Sequence, residues 1–373
     1  MTQSSPIFAP NQKSTYSNVA FDILGLVVEN VTGIPYTDYV SSFILTPFGM
    51  NQSSFDKPND SVSVLPKDVS WYFDVDEGIQ NPTGGLYSSS NDLSRFLRYI
   101  LTHYNGITPA LNWLHPASYS NGIKSQFGMP WEIFHTSDIL NYTSRPVSFV
   151  TKSGGLPGYT SIIMMVPEYD LGITILVGGK GNLLDQIRET LVPPLIRAID
   201  ATAHKQMEER YAGTYGFPHE ASLNSSLTLS ASTSSGLHVT RWISNGTNML
   251  DVPHQLFQDL DKPMSDAWRA QLIPTLLYKD EKKQSGEIWR LLLVPGKPKS
   301  RGVFDDFCIS DVDNLKYDGK PLNEFVFRGS ASHQYSEVDL TGFDVRLQRQ
   351  SSEMGGMSRG YGVEQQPLTS LHR

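Results

Sequence analysis

The pattern of apolar residues in this chain predicts an α/β (α+β) domain, an antiparallel sheet with flanking helices, followed by an all-β C-terminal domain. Three observations carry that expectation. Val19, Ile23, Leu26, Val27 and Val31 recur at helical spacing. Tyr159–Val166 and Leu171–Val177 are near-continuous apolar runs joined by a short turn. After about Ala203 the pattern changes to short strand-like segments separated by Gly, Pro, Asn and Asp.

Taken in order, the first helix starts near Val19 and ends at Thr32-Gly33. A second, short helix fits Thr37 to Ile44 and is stopped by Pro47 and Gly49. Ser90 is placed to cap a helix whose apolar face is Leu93, Phe96, Leu97 and Ile100. Val147 to Lys152 reads as a strand, followed by the turn-rich Gly154, Gly155, Pro157 and Gly158. The two apolar runs then form an antiparallel hairpin, and their continuous apolarity predicts helices on both faces. Leu183, Ile187, Leu191, Leu195 and Ile199 predict a long helix with a kink or break at Pro193-Pro194. Beyond it, Leu223–Leu229, Leu237–Ile243, Trp268–Tyr278, Ile288–Val294, Glu324–Phe327 and Val338–Leu347 read as strands of a sandwich or barrel. Trp242, Trp268 and Trp289 fall in these strands and are expected in its core. This gives a first domain over 1–205, a β-rich domain over 206–350 and a disordered Gly/Ser/Gln/Met tail over 351–373.

Composition excludes several function classes. With 39% hydrophobic and 18% charged residues, the 373-residue chain can build a packed core. A net charge of -8 and the absence of any Lys/Arg run argue against a nucleic-acid partner. No stretch approaches the ~18 apolar residues of a membrane span; Ile162 to Val177 is interrupted by Pro167-Glu168-Tyr169-Asp170, so no membrane association is expected. Cys308 stands alone, which forbids an intrachain disulfide, and its place in the β domain marks it as inert rather than nucleophilic. The histidines lack metal-ligand spacing, and there is no Gly-x-Ser-x-Gly elbow or phosphate loop. Met1 to Pro6 does not read as a signal peptide. Sequons at Asn30, Asn51, Asn59, Asn141, Asn224 and Asn245 would accept glycans on a secreted chain, although chance explains them equally well in a Ser/Thr-rich sequence.

Two clusters could carry chemistry. Tyr16-Ser17-Asn18 precedes the first helix, where helix capping by Ser17 or Asn18 is a sufficient explanation. Read as chemistry, it puts a phenol in a cleft as a proton carrier, which needs a nearby cation because a free Tyr has a pKa of about 10. Lys152-Ser153-Gly154 at a strand end supplies such a cation. Ser153 can bind a carbonyl or carboxylate, and Gly154 and Gly155 let backbone N–H groups approach a reacting carbonyl. Alone, this cluster too reads as an ordinary strand end and turn.

Together with their surroundings the clusters resemble the serine β-lactamase and penicillin-binding-protein superfamily, most like class C β-lactamases and fungal β-lactamase-like proteins. Tyr16-Ser17-Asn18 with the following Leu24-Gly25-Leu26-Val27-Val28-Glu29 and Val31-Thr32-Gly33 resembles the family's Tyr-x-Asn motif and helix. Pro47-Phe48-Gly49-Met50 is similar to its Pro-Leu-Gly-Met loop, and Gly84-Gly85-Leu86-Tyr87-Ser88 with Asp92-Leu93 to its Gly-Gly-Leu-x-Ser stretch. Lys152-Ser153-Gly154-Gly155 with Pro157-Gly158-Tyr159 resembles its Lys-Thr/Ser-Gly strand. Tyr211-Ala212-Gly213-Thr214-Tyr215-Gly216 resembles the opening of the β-rich domain that some members carry.

The resemblance implies acyl transfer from a small-molecule or peptide amide or ester, without metal or organic cofactor. Tyr16 would be the general acid/base and Lys152 its cation. Asn18 would orient the substrate, Ser153 would bind it, and the Gly155 N–H would complete an oxyanion hole. The family's Ser-x-x-Lys nucleophile lies upstream of the Tyr motif, and only fifteen residues precede Tyr16 here. The one match, Ser54-Phe55-Asp56-Lys57, follows the Tyr motif and lies outside any expected buried helix, so it reads as a decoy. The expectation is therefore a hydrolase domain lacking its N-terminal part and its nucleophile, hence inactive as it stands. The alternative is a non-catalytic pseudoenzyme that uses the cleft or the β domain for binding.

Overall fold

The computed structural model describes residues 5, 7–9, 12, 15–107, 113–120, 122–179, 183–217, 224–252, 268–295, 316–329 and 334–350. Cys308 and the tail expected over 351–373 lie outside the described residues. The chain divides into two compact units, Met1–Lys205 and Gln206–Arg373.

The first unit holds helices α1 (Asn18–Thr32), α2 (Tyr36–Val40, continued as a wider π-type turn over Ser41–Leu45), α3 (Asn81–Gly84), α4 (Ser90–Ile107) and the start of α5 (Leu183–Tyr211). Its sheet comprises β1 (Ser118–Tyr119), β2 (Ser125–Phe127), β3 (Glu132–Thr136), β4 (Val147–Leu156), β5 (Tyr159–Val166) and β6 (Leu171–Gly178), paired in sequence order and antiparallel throughout. The expected hairpin is β5–β6. Both faces are covered, as the continuous apolarity requires. Val147, Phe149, Ile162, Met164, Val166 and Ile175 pack with Val192 and Ile196 of α5. On the other face Trp131, Ile133, Val150 and Met165 pack with Leu97, Ile100 and Leu101 of α4.

Several local expectations are corrected. Ser89, not Ser90, caps α4: its hydroxyl accepts the Asp92 N–H at 3.2 Å and its carbonyl accepts the Leu93 N–H. Pro193 and Pro194 do not break α5, which runs through both. The carbonyls that lose their helical donors belong to Glu189 and Thr190, both exposed to water, while Val192 and Ile196 are buried against the sheet. That burial also rotates the face: Leu191 and Leu195, expected inward, are 59% and 40% exposed. Helix α1 forms as expected, with Ser17 capping through the Ala20 N–H at 3.2 Å and Gly33 closing it in a left-handed conformation. Yet Val19, Ile23, Leu26, Val27 and Val31 all face solvent, and Gly25 is the buried residue of the helix, where a Cβ would lie 2.2 Å from Pro82 Cγ.

The second unit has strands β7 (Gly213–Gly216), β8 (Ser226–Ser232), β9 (Gly236–Ser244), β10 (Thr247–Asn248), β11 (Trp268–Asp280), β12 (Ser285–Pro295), β13 (Lys316–Tyr317), β14 (Lys320–Pro321), β15 (Glu324–Gly329), β16 (Tyr335–Leu340) and β17 (Val345–Arg349). Leaving aside the two-residue strands, the order β9-β11-β12-β15-β16-β17-β7-β8 closes through β8–β9 pairing, so the fold is an antiparallel up-and-down barrel rather than a sandwich. The segment Val338–Leu347, read as one strand, is two strands around the turn Thr341–Phe343, with Asp344 at φ 55. Tyr215, Leu227, Trp242, Trp289, Phe325 and Phe327 fill the interior, and Trp268 packs partly against it. Inside, Glu287 accepts from Tyr211 (2.8 Å), Tyr335 (2.5 Å) and the Trp289 indole (3.0 Å). Burial, then the Glu287 carboxylate, pushes the Tyr335 phenol up to about 12.

Ion pairs fix the β15–β16 region. Glu324, 6% exposed, bonds Lys279 at 2.7 Å, Arg290 at 3.3 Å and the Thr341 hydroxyl at 2.8 Å. Burial alone would raise its pKa, but these partners outweigh it and hold the carboxyl below its ordinary value. A carboxylate with a depressed folded pKa contributes stability above its unfolded pKa of about 4.3, and that contribution is lost as pH falls through the folded value.

Two measurements check this packing. In urea unfolding, Ile196→Ala should cost about 2–5 kcal/mol and Leu195→Ala about 1 kcal/mol or less; the reverse order would move the buried face of α5. Glu324→Gln should cost about 1–3 kcal/mol near neutral pH, and the gap to wild type should shrink on acidification below about pH 4. A gap that is constant with pH would remove the ionised carboxylate from the barrel's stability.

Candidate active site

The site is built where β4 passes from core to surface. Residues Val147, Phe149, Val150 and Thr151 are buried, Lys152 is half-buried and Ser153 to Leu156 are exposed. The change follows from pairing. The β3 ladder ends at Glu132 opposite Thr151, while β5 continues beside β4 to Leu156. Beyond Thr151 one edge of β4 is therefore free of β3.

Three groups meet at that boundary. The Lys152 ammonium lies 4.6 Å from the centroid of the Tyr16 ring, within range of a cation–π contact. It also forms an ion pair with Glu132 Oε1 at 2.6 Å and donates to the Ser153 carbonyl at 3.0 Å. The other Glu132 oxygen accepts from the Ser153 hydroxyl at 2.7 Å and from the Ser153 N–H at 3.1 Å. Thr151 donates its hydroxyl to the Glu132 carbonyl at 2.8 Å, which fixes the β3 end. Tyr16 is 46% exposed and its ring touches Phe21 at 5.9 Å.

Tyr16 and Lys152, distant in sequence, are thus brought together, and the contact runs through the ring face. Asn18 lies exposed at the start of α1; its carbonyl accepts from the Thr83 hydroxyl at 2.9 Å. Thr83 also bonds the Asp22 carboxylate, tying α1 to α3. Gly155 is open: a Cβ there would meet nothing within 4 Å, whereas at Gly154 it would lie 2.5 Å from Ser161 Oγ. The turn beyond is held by Gly158, at φ 87, where a Cβ would lie 2.1 Å from the Val69 carbonyl oxygen. Tyr159 donates to the Val64 carbonyl at 3.0 Å and its ring centroid lies 6.1 Å from that of Phe73, so the 64–73 segment packs on this turn, and Tyr87 closes on the Phe73 carbonyl at 2.6 Å.

Ser54 is in an isolated bridge with Tyr87, and its hydroxyl donates to the Asp56 carbonyl at 2.5 Å. Lys57 is bound by Asp60 at 2.9 Å and by Asp74. Neither residue is on a helix, the context a Ser-x-x-Lys nucleophile requires. Glu132 was not legible as a site residue. Strands β1 to β3 have no continuous apolar run, and only cross-strand register puts Glu132 beside Lys152-Ser153.

Two family models match the chain: "Beta-lactamase" over residues 1–220 and "Beta-lactamase-like-like, C-terminal domain" over residues 203–351. Among curated proteins, the chain is similar to probable hydrolase clz13 of Cochliobolus lunatus, 35% identical over 98% of this chain and 60% of that protein. Probable hydrolase M10 of a Phoma species is 35% identical over 95% of this chain and 60% of its own length. A β-lactamase-like protein of Arthroderma benhamiae is 29% identical over 58% of this chain and 37% of its own length. The chain therefore spans about 60% of the length of the first two relatives. Among solved structures, an octameric penicillin-binding protein homologue from Pyrococcus abyssi aligns with a TM-score of 0.41 at 17% identity, over 91% of this chain and 66% of that one.

Gly158→Ala should cost about 2 kcal/mol or more, from the left-handed backbone and the clash with Val69 together. Chemical denaturation of the purified variant measures it, and an unchanged midpoint would show that the turn accepts a side chain.

Proposed function

We propose, for a chain that belongs to the β-lactamase family, that it carries the proton-transfer and substrate-binding half of a serine acyl-transfer site. The reaction is hydrolysis or transfer of an amide or ester in a small molecule or peptide. One observation carries the reading: the Lys152 ammonium against the Tyr16 ring at 4.6 Å.

The Lys152 ammonium lies over the ring of an exposed Tyr16, and the phenol hydroxyl is the group read as carrying the proton. As a nucleophilic hydroxyl oxygen bonds the carbonyl carbon, its proton passes to Tyr16. The carbonyl electron pair moves onto oxygen, where the Gly155 N–H would hold it. Collapse restores the carbonyl and expels the leaving group, which takes the proton from Tyr16. Asn18 would orient the substrate, and Ser153 would lie on its binding side. The one Ser-x-x-Lys in the sequence, Ser54 to Lys57, has both residues bonded elsewhere and neither on a helix, which supports reading this chain alone as inactive in acyl transfer. That placement of the motif is what favours the second reading, a non-catalytic binding protein. All six sequon asparagines are exposed, so each is accessible to a glycan on a chain that passes through the secretory pathway.

In a form of the protein that carries a Ser-x-x-Lys segment, Tyr16→Phe should lower turnover by a factor of about 10² or more. Unchanged turnover would remove Tyr16 from the mechanism. Residues 1–373 should stay unlabelled by a fluorophosphonate probe; labelling that disappears in Ser54→Ala would make Ser54 the nucleophile.

A further inference from the structure

We infer that Glu132 is a specificity-determining residue: it occupies the Lys152 and Ser153 donors that would bind an anion, so the site takes neutral acyl substrates with no carboxylate beside the reacting carbonyl. The inference rests on the proposed reading of Tyr16 and Lys152 and names the substrate class of that site.

Three donors converge where β4 leaves β3: the Lys152 ammonium, the Ser153 N–H and the Ser153 hydroxyl. That set would bind an incoming carboxylate well, because charge-assisted hydrogen bonds are the strong ones. Here the chain supplies the carboxylate itself. Glu132 Oε1 takes the ammonium at 2.6 Å, and Oε2 takes both Ser153 donors at 2.7 and 3.1 Å. The acid and the ammonium cancel in formal charge, so the cluster offers an anion no net attraction.

Glu132 is held in this role by its strand. Its neighbours Trp131 and Ile133 are 3% and 2% exposed, and its own carbonyl accepts the Thr151 hydroxyl. The backbone beneath the carboxylate is therefore fixed in the core. A substrate carboxylate would have to displace Glu132 from three donors and then lie against its negative charge, a juxtaposition that selects against such ligands. A neutral ester or amide meets neither obstacle. Two residues further along the free edge of β4, the space around Gly155 is open. The edge is thus closed to anions at Ser153 and open to a carbonyl at Gly155.

The test is calorimetric titration of the 373-residue chain with hippurate and with hippurate methyl ester, an achiral pair that differs only at the carboxylate. Wild type should bind the ester at least about tenfold more tightly. Glu132→Gln, which keeps shape and removes charge, should tighten hippurate by at least about tenfold and shift the ester by less than about threefold. Hippurate binding wild type as well as the ester does would overturn the inference and leave the reading of Tyr16 and Lys152 standing. If neither ligand binds either protein, the edge of β4 at Lys152 to Gly155 is not a substrate site and both fall. Should the variant not fold, the wild-type ratio decides alone.

Discussion

The pairing of β4 with β5 is the constraint from which the first unit and its site follow. Up to Thr151, β4 pairs with β3, and at Val150 and Thr151 it has β5 on its other edge as well, so its register cannot slip without turning apolar side chains out of two cores. From Lys152 onward it keeps β5 and loses β3. One strand therefore supplies rigid core and accessible surface, and the site begins where the first becomes the second. Lys152 is half-buried because it lies on that line, and this allows its stem to pack while its ammonium reaches Tyr16 and Glu132.

How far the sequence could be read depended on whether each signal was local. Strands β5 and β6 were legible because a run buried on both faces is apolar at every position. Helix α5 was legible as a helix, but its buried face was not. Over 29 residues a four-residue spacing drifts around a 3.6-residue helix, and the inward positions became Val192 and Ile196. The β16–β17 turn was missed because Thr341-Gly342-Phe343-Asp344 holds only one strong turn residue, and Asp344 takes the left-handed conformation unannounced. Tyr16 and Lys152 were legible as residue types with an ordinary explanation each. Their meeting is a tertiary fact, and so is the place of Glu132, which local sequence does not mark.

Helix α1 shows the same limit from the other side. Its ends are well marked: the Ser17 cap, the Gly33 stop, and the Glu29 carboxylate accepting the Tyr36 N–H at 2.8 Å. An apolar stripe states that a helix has a face suited to burial and says nothing of what covers it. Here the close approach is made by Gly25 to Pro82, on a side the stripe does not include.

Closure of the barrel has a consequence in time. The first strand β7 pairs with the last strand β17, and Arg349 bonds the carbonyl of Ala212, 137 positions away, at 2.5 Å. During synthesis β7 leaves the ribosome long before its closing partner exists. Until then the sheet has two raw edges, and its tyrosines and tryptophans lack a finished interior. Pairing across so long a loop is slow, because the chain entropy must be lost before the contact forms. The strand that seals the barrel is thus also the last to be made, and the second unit must reach its native state after translation of β17 rather than alongside it.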